Sequence, residues 1–173
     1  MPKIQLEILI GEARWRKIPK LAARLKKAAA TIPSHLPKKL RLNANVVVLL
    51  TSDAEMRRLN RDFRGKNQPT NVLSFPTFAP RELPNMGKKS AQILLGDIAL
   101  GYQYIVVESK NTHKILINHA CHLLIHGILH LFGYDHVSGP KAVRMETLEQ
   151  EIMRGLGLPD PYAMPQPKER KAR

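Results

Sequence analysis

Six of the seven histidines fall between His113 and His136. Within that stretch His126 and His130 stand four residues apart in an apolar run, Cys121 to Phe132, that has the composition of a buried helix. Residues four apart share one helix face, so these two imidazoles can grip a single metal ion. Gly133 follows where a helix takes a left-handed C′ residue, and a sharp reversal there lets His136 swing back as a third nitrogen ligand. Three protein ligands leave a fourth position on zinc, which separates a catalytic site from a closed structural one, and an all-imidazole set favours zinc over magnesium. One Zn2+ per chain is expected. It lowers the pKa of bound water to about 7 and polarises a phosphoryl or carbonyl oxygen, and either effect serves hydrolysis.

The spacing HxxxHxxGxxH is shared with metzincin peptidases, in which a Glu directly after the first His is the general base. Here that position is Gly127, which cannot accept a proton, so the ligand scaffold stands without the peptidase base. Three further groups are candidates for hydrogen-bonding the ligands. His122 lies one turn before His126 on the same face, as a partner, a proton shuttle or a partly exposed helix residue. Asp135 precedes the third ligand and can either orient an imidazole or brace the turn. Asp97 follows Gly96 in a strand-like run, where glycine marks a bulge or a close backbone approach. His113 and His119 are read as surface residues and Cys121 as core.

These ligands need a framework. Ile4, Leu6, Ile8 and Ile10 alternate with Gln5, Glu7 and Leu9, close to the period of a half-buried strand. Trp15, Ile18, Ala22, Leu25, Ala29 and Ile32 then recur at threes and fours, with Lys17, Lys20, Arg24 and Lys27 as a second row. This predicts one amphipathic helix with a cationic stripe, ended by Pro33 and Pro37. Val46–Leu50 reads as a buried strand, and Ser52 with Glu55 forms a capping box for a helix through Met56, Leu59 and Phe63, closed by Arg64-Gly65. Strands over Asn71–Phe75 and Ile93–Leu100 flank a proline-rich surface loop, Pro76–Ser90, and helices follow at Tyr102–Lys110, Thr112–Phe132 and Pro140–Gly155. The order predicts an α+β single domain, with a small mixed β-sheet of about four strands covered by about five helices and the metal site at the end of a long central helix. That domain is expected over residues 1–158. Residues 159–173, proline-rich and ending in Lys168, Arg170, Lys171 and Arg173, are expected to form a basic, disordered tail.

The chain's 173 residues suit one domain, and its 28 Lys+Arg against 14 Asp+Glu give a net charge of +14. With a pI near 10.2, the expected partner is a polyanion, nucleic acid before membrane. Ten of the cations lie between Ala13 and Ser52 with no acid among them. The single cysteine excludes an intrachain disulfide, and no apolar run approaches the roughly 18 residues of a membrane span. With no export signal evident, the cytoplasm is the expected place.

Three segments resemble the YbeY family of metal-dependent endoribonucleases, also called rRNA maturation factors. His126-Gly-Ile-Leu-His-Leu-Phe-Gly-Tyr-Asp-His136 is similar to the family signature. Phe63-Arg-Gly-Lys-Asn-Gln-Pro-Thr-Asn-Val-Leu-Ser-Phe-Pro76 looks like its arginine loop and following strand, and Leu95-Gly-Asp-Ile98 like its GDI strand. Met145–Leu158 resembles the family's C-terminal helix, so the likeness runs from about Ile4 to Tyr162. The resemblance implies a domain that binds zinc through His126, His130 and His136 and cleaves single-stranded RNA. Its implied roles are 16S rRNA 3′-end processing, rRNA maturation and ribosome quality control. rRNA precursors and the small ribosomal subunit are the implied partners; no membrane partner and no DNA specificity are expected. Arg64 corresponds to the arginine that faces the family's metal cleft. Asn67 and Asn71 stand where many members carry Asp, which removes negative charge beside the RNA path.

On this reading RNA meets Lys17, Lys20, Arg24, Lys27, Arg57, Arg58, Arg61 and Lys66, since phosphate contacts supply sequence-independent affinity. Arg64 is the expected catalytic group, clamping a nonbridging phosphate oxygen in a bidentate way that Lys cannot match. The nucleophile is open between water and the RNA 2′-OH. A competing reading is an RNA- or ribosome-binding assembly factor whose zinc is only structural.

Overall fold

A computed structural model describes residues 1–86 and 92–164. The alternating segment at the N-terminus is strand β1 (Ile4–Ile10), and the other apolar runs give β2 (Ala44–Thr51), β3 (Val72–Pro76) and β4 (Ile93–Gly101). They form one sheet in the order β1-β2-β4-β3, with β1, β2 and β4 parallel and the edge strand β3 antiparallel to β4. The helices are α1 (Leu21–His35), α2 (Asp53–Arg64), α3 (Leu83–Met86), α4 (Tyr102–Asn111), α5 (Leu116–Leu131) and α6 (Gly139–Gly155). The mixed four-stranded α+β architecture is the expected one. There are six α-helices among the described residues rather than about five, because a short turn of helix forms inside the proline-rich loop. The end of that loop, 87–90, lies outside the described residues.

Alternation along the strands gives the sheet two unlike faces. Val46, Val48, Leu50, Ile98 and most of the core lie on the side covered by α1 and α5, whereas Met56, Leu73 and Ala99 form a separate small cluster under α2. Helix α5 is buried along most of its length between the sheet, α1, α4 and α6. Gly127 permits its close approach to β3: a Cβ there would lie 3.0 Å from Ser74 Oγ and 3.1 Å from Ile98 Cδ1. Ser74 Oγ also donates to the Gly127 carbonyl at 3.1 Å. The position that carries the base in metzincins is thus pressed against the sheet.

The single long helix expected from Trp15 to Ile32 is two pieces. Pro19 has no amide hydrogen and Lys20 adopts a left-handed φ of 59°, so a 3-10 turn over Ala13–Lys17 stands apart from α1. The Trp15 indole pins that turn by donating to the Thr51 carbonyl at 3.0 Å. Pro33 does not end α1; it sits in the last turn, where one missing amide is tolerated, and the helix runs on to His35. The cationic row is therefore broken, with Lys17 and Lys20 outside the helix. Helix α5 begins at Leu116 rather than Thr112 because His113 takes a positive φ of 54°.

Contacts continue past Leu158, where the domain is expected to end. Lys114 Nζ donates to the Pro161 carbonyl at 2.7 Å, and Gln150 Nε2 donates to the Asp160 carboxylate at 3.0 and 3.1 Å, so the chain is packed beyond Pro159. Residues 165–173 of the expected tail lie outside the described residues. Among the described residues no helix is long and apolar enough to cross a membrane.

Candidate metal centre

The end of α5 is built as its glycine predicts. Gly133 takes φ 85°, its N–H donates to the His130 carbonyl at 2.9 Å, and the Tyr134 N–H donates to the Leu129 carbonyl at 3.0 Å, the pair of bonds of a Schellman motif. Asp135 Oδ1 then accepts from the backbone N–H groups of His136 (2.7 Å) and Val137 (3.2 Å). Asp135 is therefore the brace of the turn and does not touch an imidazole through these bonds. The reversal returns His136 to the helix face, and the donor atoms of His126, His130 and His136 come within 4.8 Å of one another. Three imidazoles so placed could hold one metal ion.

The tautomers favour that use. His126 Nδ1 lies 2.7 Å from Glu149 Oε1, and His130 Nδ1 lies 2.9 Å from the Tyr134 carbonyl. An ionised carboxylate and a carbonyl can only accept, so each Nδ1 must donate, and each neutral ring turns its Nε2 lone pair inward. The two Nε2 atoms are 3.0 Å apart. With both rings neutral, two lone pairs at that distance repel unless a cation lies between them, a place that a metal ion or the proton of one imidazolium can fill. A ring N–H donated to a carboxylate or a backbone carbonyl is the usual support of a metal-bound imidazole. Burial, followed by the neighbouring His126, pushes His130 down to about 4, which keeps it neutral and free to ligate at neutral pH.

Glu149 is a member of the centre that the sequence reading missed. It comes from α6, is fully buried, and accepts from His126 at 2.7 Å and from His122 Nε2 at 2.8 Å, while the Tyr162 hydroxyl donates to the same Oε2 as His122. Burial opposes its charge, but the hydrogen bonds from His122 and His126 outweigh it and hold the carboxyl at about 2. Burial, reinforced by Glu149, pushes the Tyr162 phenol up, so it stays protonated as a donor. A sequence signal existed: Glu149 occupies the apolar row of α6 with Met145, Leu148, Ile152 and Met153.

One pH dependence follows. His130 and His122 have folded pKa values depressed below the ordinary 6.5, burial being the first cause in each. Between pH 6.5 and about 4 the unfolded chain takes up protons there that the folded chain refuses, so stability falls as pH falls. Below 4.5 Glu149 acts in the same direction, being ionised in the fold and protonated in the unfolded chain. The melting temperature of metal-free protein should therefore drop between pH 7.5 and pH 5; a flat profile would contradict these assignments.

The other expected residues are dispersed. His122 is buried and its Nε2 lies 2.8 Å from Glu149 Oε2, the carboxylate that also meets His126. His119 is not at the surface: it is 5% exposed, enclosed by the helices around α5, and lies 2.7 Å from Glu108 of α4. Asn71 donates to the same carboxylate at 3.0 and 3.3 Å, a contact that an Asp would turn into repulsion. Asn67 accepts from Arg57 at 2.8 Å. Asp97 does not adjoin the histidines. Gly96 does mark a bulge, where the register with β2 skips Leu95, and a Cβ on Gly96 would meet Leu131 of α5. Alternation then turns Asp97 to the opposite face, beside Val47, Phe63 and Phe75.

Arg64 is exposed at the C-terminal end of α2, a helix whose buried residues pack on the face of the sheet opposite α5, and with Lys66 makes no side-chain hydrogen bond or ion pair among the described residues. Arg58 and Arg61 are instead paired with acids of their own helix. Arg24 bonds Asn118 at 3.3 Å, about 18 Å along α5 from His130 at 1.5 Å per residue. Among the described residues, Lys39, Lys141 and Arg144 line a cleft of about 270 Å³ with Tyr134 beside the Gly133–Asp135 turn.

Fold and centre together define a small α+β domain with three converging imidazoles where a buried helix meets solvent. Comparison with known proteins makes this specific. The Endoribonuclease YbeY family model matches residues 12–157, and the chain belongs to that family. It is 40% identical over 162 residues to Endoribonuclease YbeY of Nitrobacter winogradskyi, covering 92% of this chain and 83% of that protein. The Bradyrhizobium diazoefficiens protein of the same name is 40% identical over 157 residues, covering 91% and 84%. That of Nitrobacter hamburgensis is 46% identical over 130 residues, covering 75% of this chain and 66% of the relative. The solution structure of TM1509 from Thermotoga maritima is similar with a TM-score of 0.55 and 25% identity, covering 92% of this chain and 99% of that one.

Proposed function

We propose that this chain is a zinc-dependent endoribonuclease specific for single-stranded RNA, acting in 16S rRNA 3′-end processing, rRNA maturation and ribosome quality control. rRNA precursors and the small ribosomal subunit are its partners, and the cytoplasm is its place. The observation that carries the metal reading is the pair of Nε2 atoms 3.0 Å apart, each left with a lone pair by an acceptor at Nδ1. Membership of the YbeY family supports RNA as the substrate.

His126, His130 and His136 would hold the Zn2+, which when bound supplies Lewis-acid chemistry at the scissile phosphodiester. Glu149 and the Tyr134 carbonyl keep a proton on Nδ1 of His126 and His130, fixing the ring orientations. The charge of +14 draws the phosphate backbone in, and the cations bordering the turn hold it near the histidines. Arg64, free of competing partners among the described residues, clamps nonbridging phosphate oxygens, and Lys66 extends that path. Lys17, Lys20, Arg24 and Lys27 act only as a diffuse field, because their row is broken and Arg24 is engaged by α5.

The test is cleavage of a labelled single-stranded RNA beside its duplex. The wild-type protein should cut the single strand, and Arg64→Ala should retain zinc while losing cleavage roughly 100-fold, the usual effect of removing one donor to a developing charge. An Arg64→Ala protein that processes RNA normally would favour a binding factor over an enzyme.

A further inference from the structure

Glu149 accepts from three side chains: Oε1 from His126, and Oε2 from both His122 and the Tyr162 hydroxyl. Two of these donors sit on α5, but the third arrives from beyond the last helix. The chain that brings it is held at several points. Lys114 Nζ bonds the Pro161 carbonyl at 2.7 Å, Gln150 bonds the Asp160 carboxylate, and Asp160 Oδ1 accepts from the Tyr162 N–H at 2.9 Å. Pro161 is buried, while Tyr162 is 42% exposed overall with its hydroxyl turned inward to Glu149. The ring also packs edge-on against His122, centroids 5.5 Å apart.

This arrangement constrains the carboxylate. With Oε2 engaged by two donors of different elements, rotation about the last side-chain bond is blocked, and Oε1 is left aimed at His126 Nδ1. We infer that Tyr162 is a positioning residue for the metal centre: the segment Asp160–Tyr162 locks Glu149 in the rotamer that orients His126. The inference rests on the reading of the three histidines as a zinc site. It makes the C-terminal segment part of the active centre, so that undocking the segment loosens the metal.

Competition of full-length, metal-free protein against a chromogenic chelator for Zn2+ tests it, with no RNA present. Tyr162→Phe keeps the ring against His122 and removes only the hydroxyl. It should bind Zn2+ about 10-fold more weakly, at the lower end of effects of groups behind metal ligands. In a Glu149→Gln background the same change should have no further effect, because the locked carboxylate is already gone. A Tyr162→Phe protein with wild-type zinc affinity overturns the inference and leaves the zinc site standing. Equal zinc binding by wild type and His130→Ala overturns both. An equal loss in the two backgrounds also overturns it, since the hydroxyl would then act without Glu149.

Discussion

Glu149→Ala should weaken zinc binding about 10–100-fold and destabilise the metal-free protein by about 3 kcal/mol. The affinity loss follows because His126 Nδ1 loses its fixed acceptor, so the ring is free to flip or change tautomer. The stability loss has a separate origin. Removing the carboxylate leaves the N–H groups of His122 and His126 without a buried acceptor, each at a cost of about 1–3 kcal/mol, and relief from burying a charge offsets only part of it. Denaturant unfolding of chelator-treated protein measures the second effect and chelator competition the first. Loss of stability without loss of zinc affinity would mean that Glu149 is only a core partner of His122.

Gly133→Ala should cost about 2–5 kcal/mol, far more than Gly65→Ala at about 1 kcal/mol. Both glycines end a helix at positive φ, 85° and 69°. A Cβ on Gly65 meets nothing within 4 Å, whereas one on Gly133 falls 2.5 and 2.6 Å from Pro80 Cβ and Cγ. Left-handed strain is common to the two; the collision is not. Relief requires the turn to shift, which carries His136 away from His126 and His130, so zinc affinity should fall in Gly133→Ala and stay unchanged in Gly65→Ala. Equal unfolding free energies for the two variants would contradict this packing.

The parts of this molecule that declared themselves in the sequence are those whose signal is local. His126, His130 and Gly133 form one helical turn and its stop, and the N-cap at Ser52 is realised, its Oγ accepting from the Glu55 N–H at 3.4 Å. Strand β1 alternates as its residues do, with Ile4 buried and Leu6, Ile8 and Ile10 half-buried on one face and Gln5, Glu7 and Leu9 exposed on the other. What stayed hidden depends on distant segments meeting. Glu149 finds His126 only because α6 crosses α5, and Tyr162 only because Lys114 and Gln150 hold the chain past Leu158. The prolines after Pro159 resemble those of a disordered tail, yet Pro161 is buried. Periodicity misleads at Trp15–Ile32, where apolar spacing continues across Pro19 while the backbone does not. Asp97 defeats sequence reading for a related reason: glycine signals the bulge at Leu95, but which face follows it is decided by the pairing with β2 and β3.

That a zinc ion held by these histidines cuts RNA can be checked by measuring zinc content and single-stranded RNA cleavage together on wild type and His130→Ala. Wild-type protein should carry one zinc per chain, lose cleavage on chelation and regain it when zinc alone is returned. His130→Ala should hold no zinc and show no cleavage under any of these conditions. Cleavage at the wild-type rate by zinc-free His130→Ala would contradict a zinc-borne mechanism.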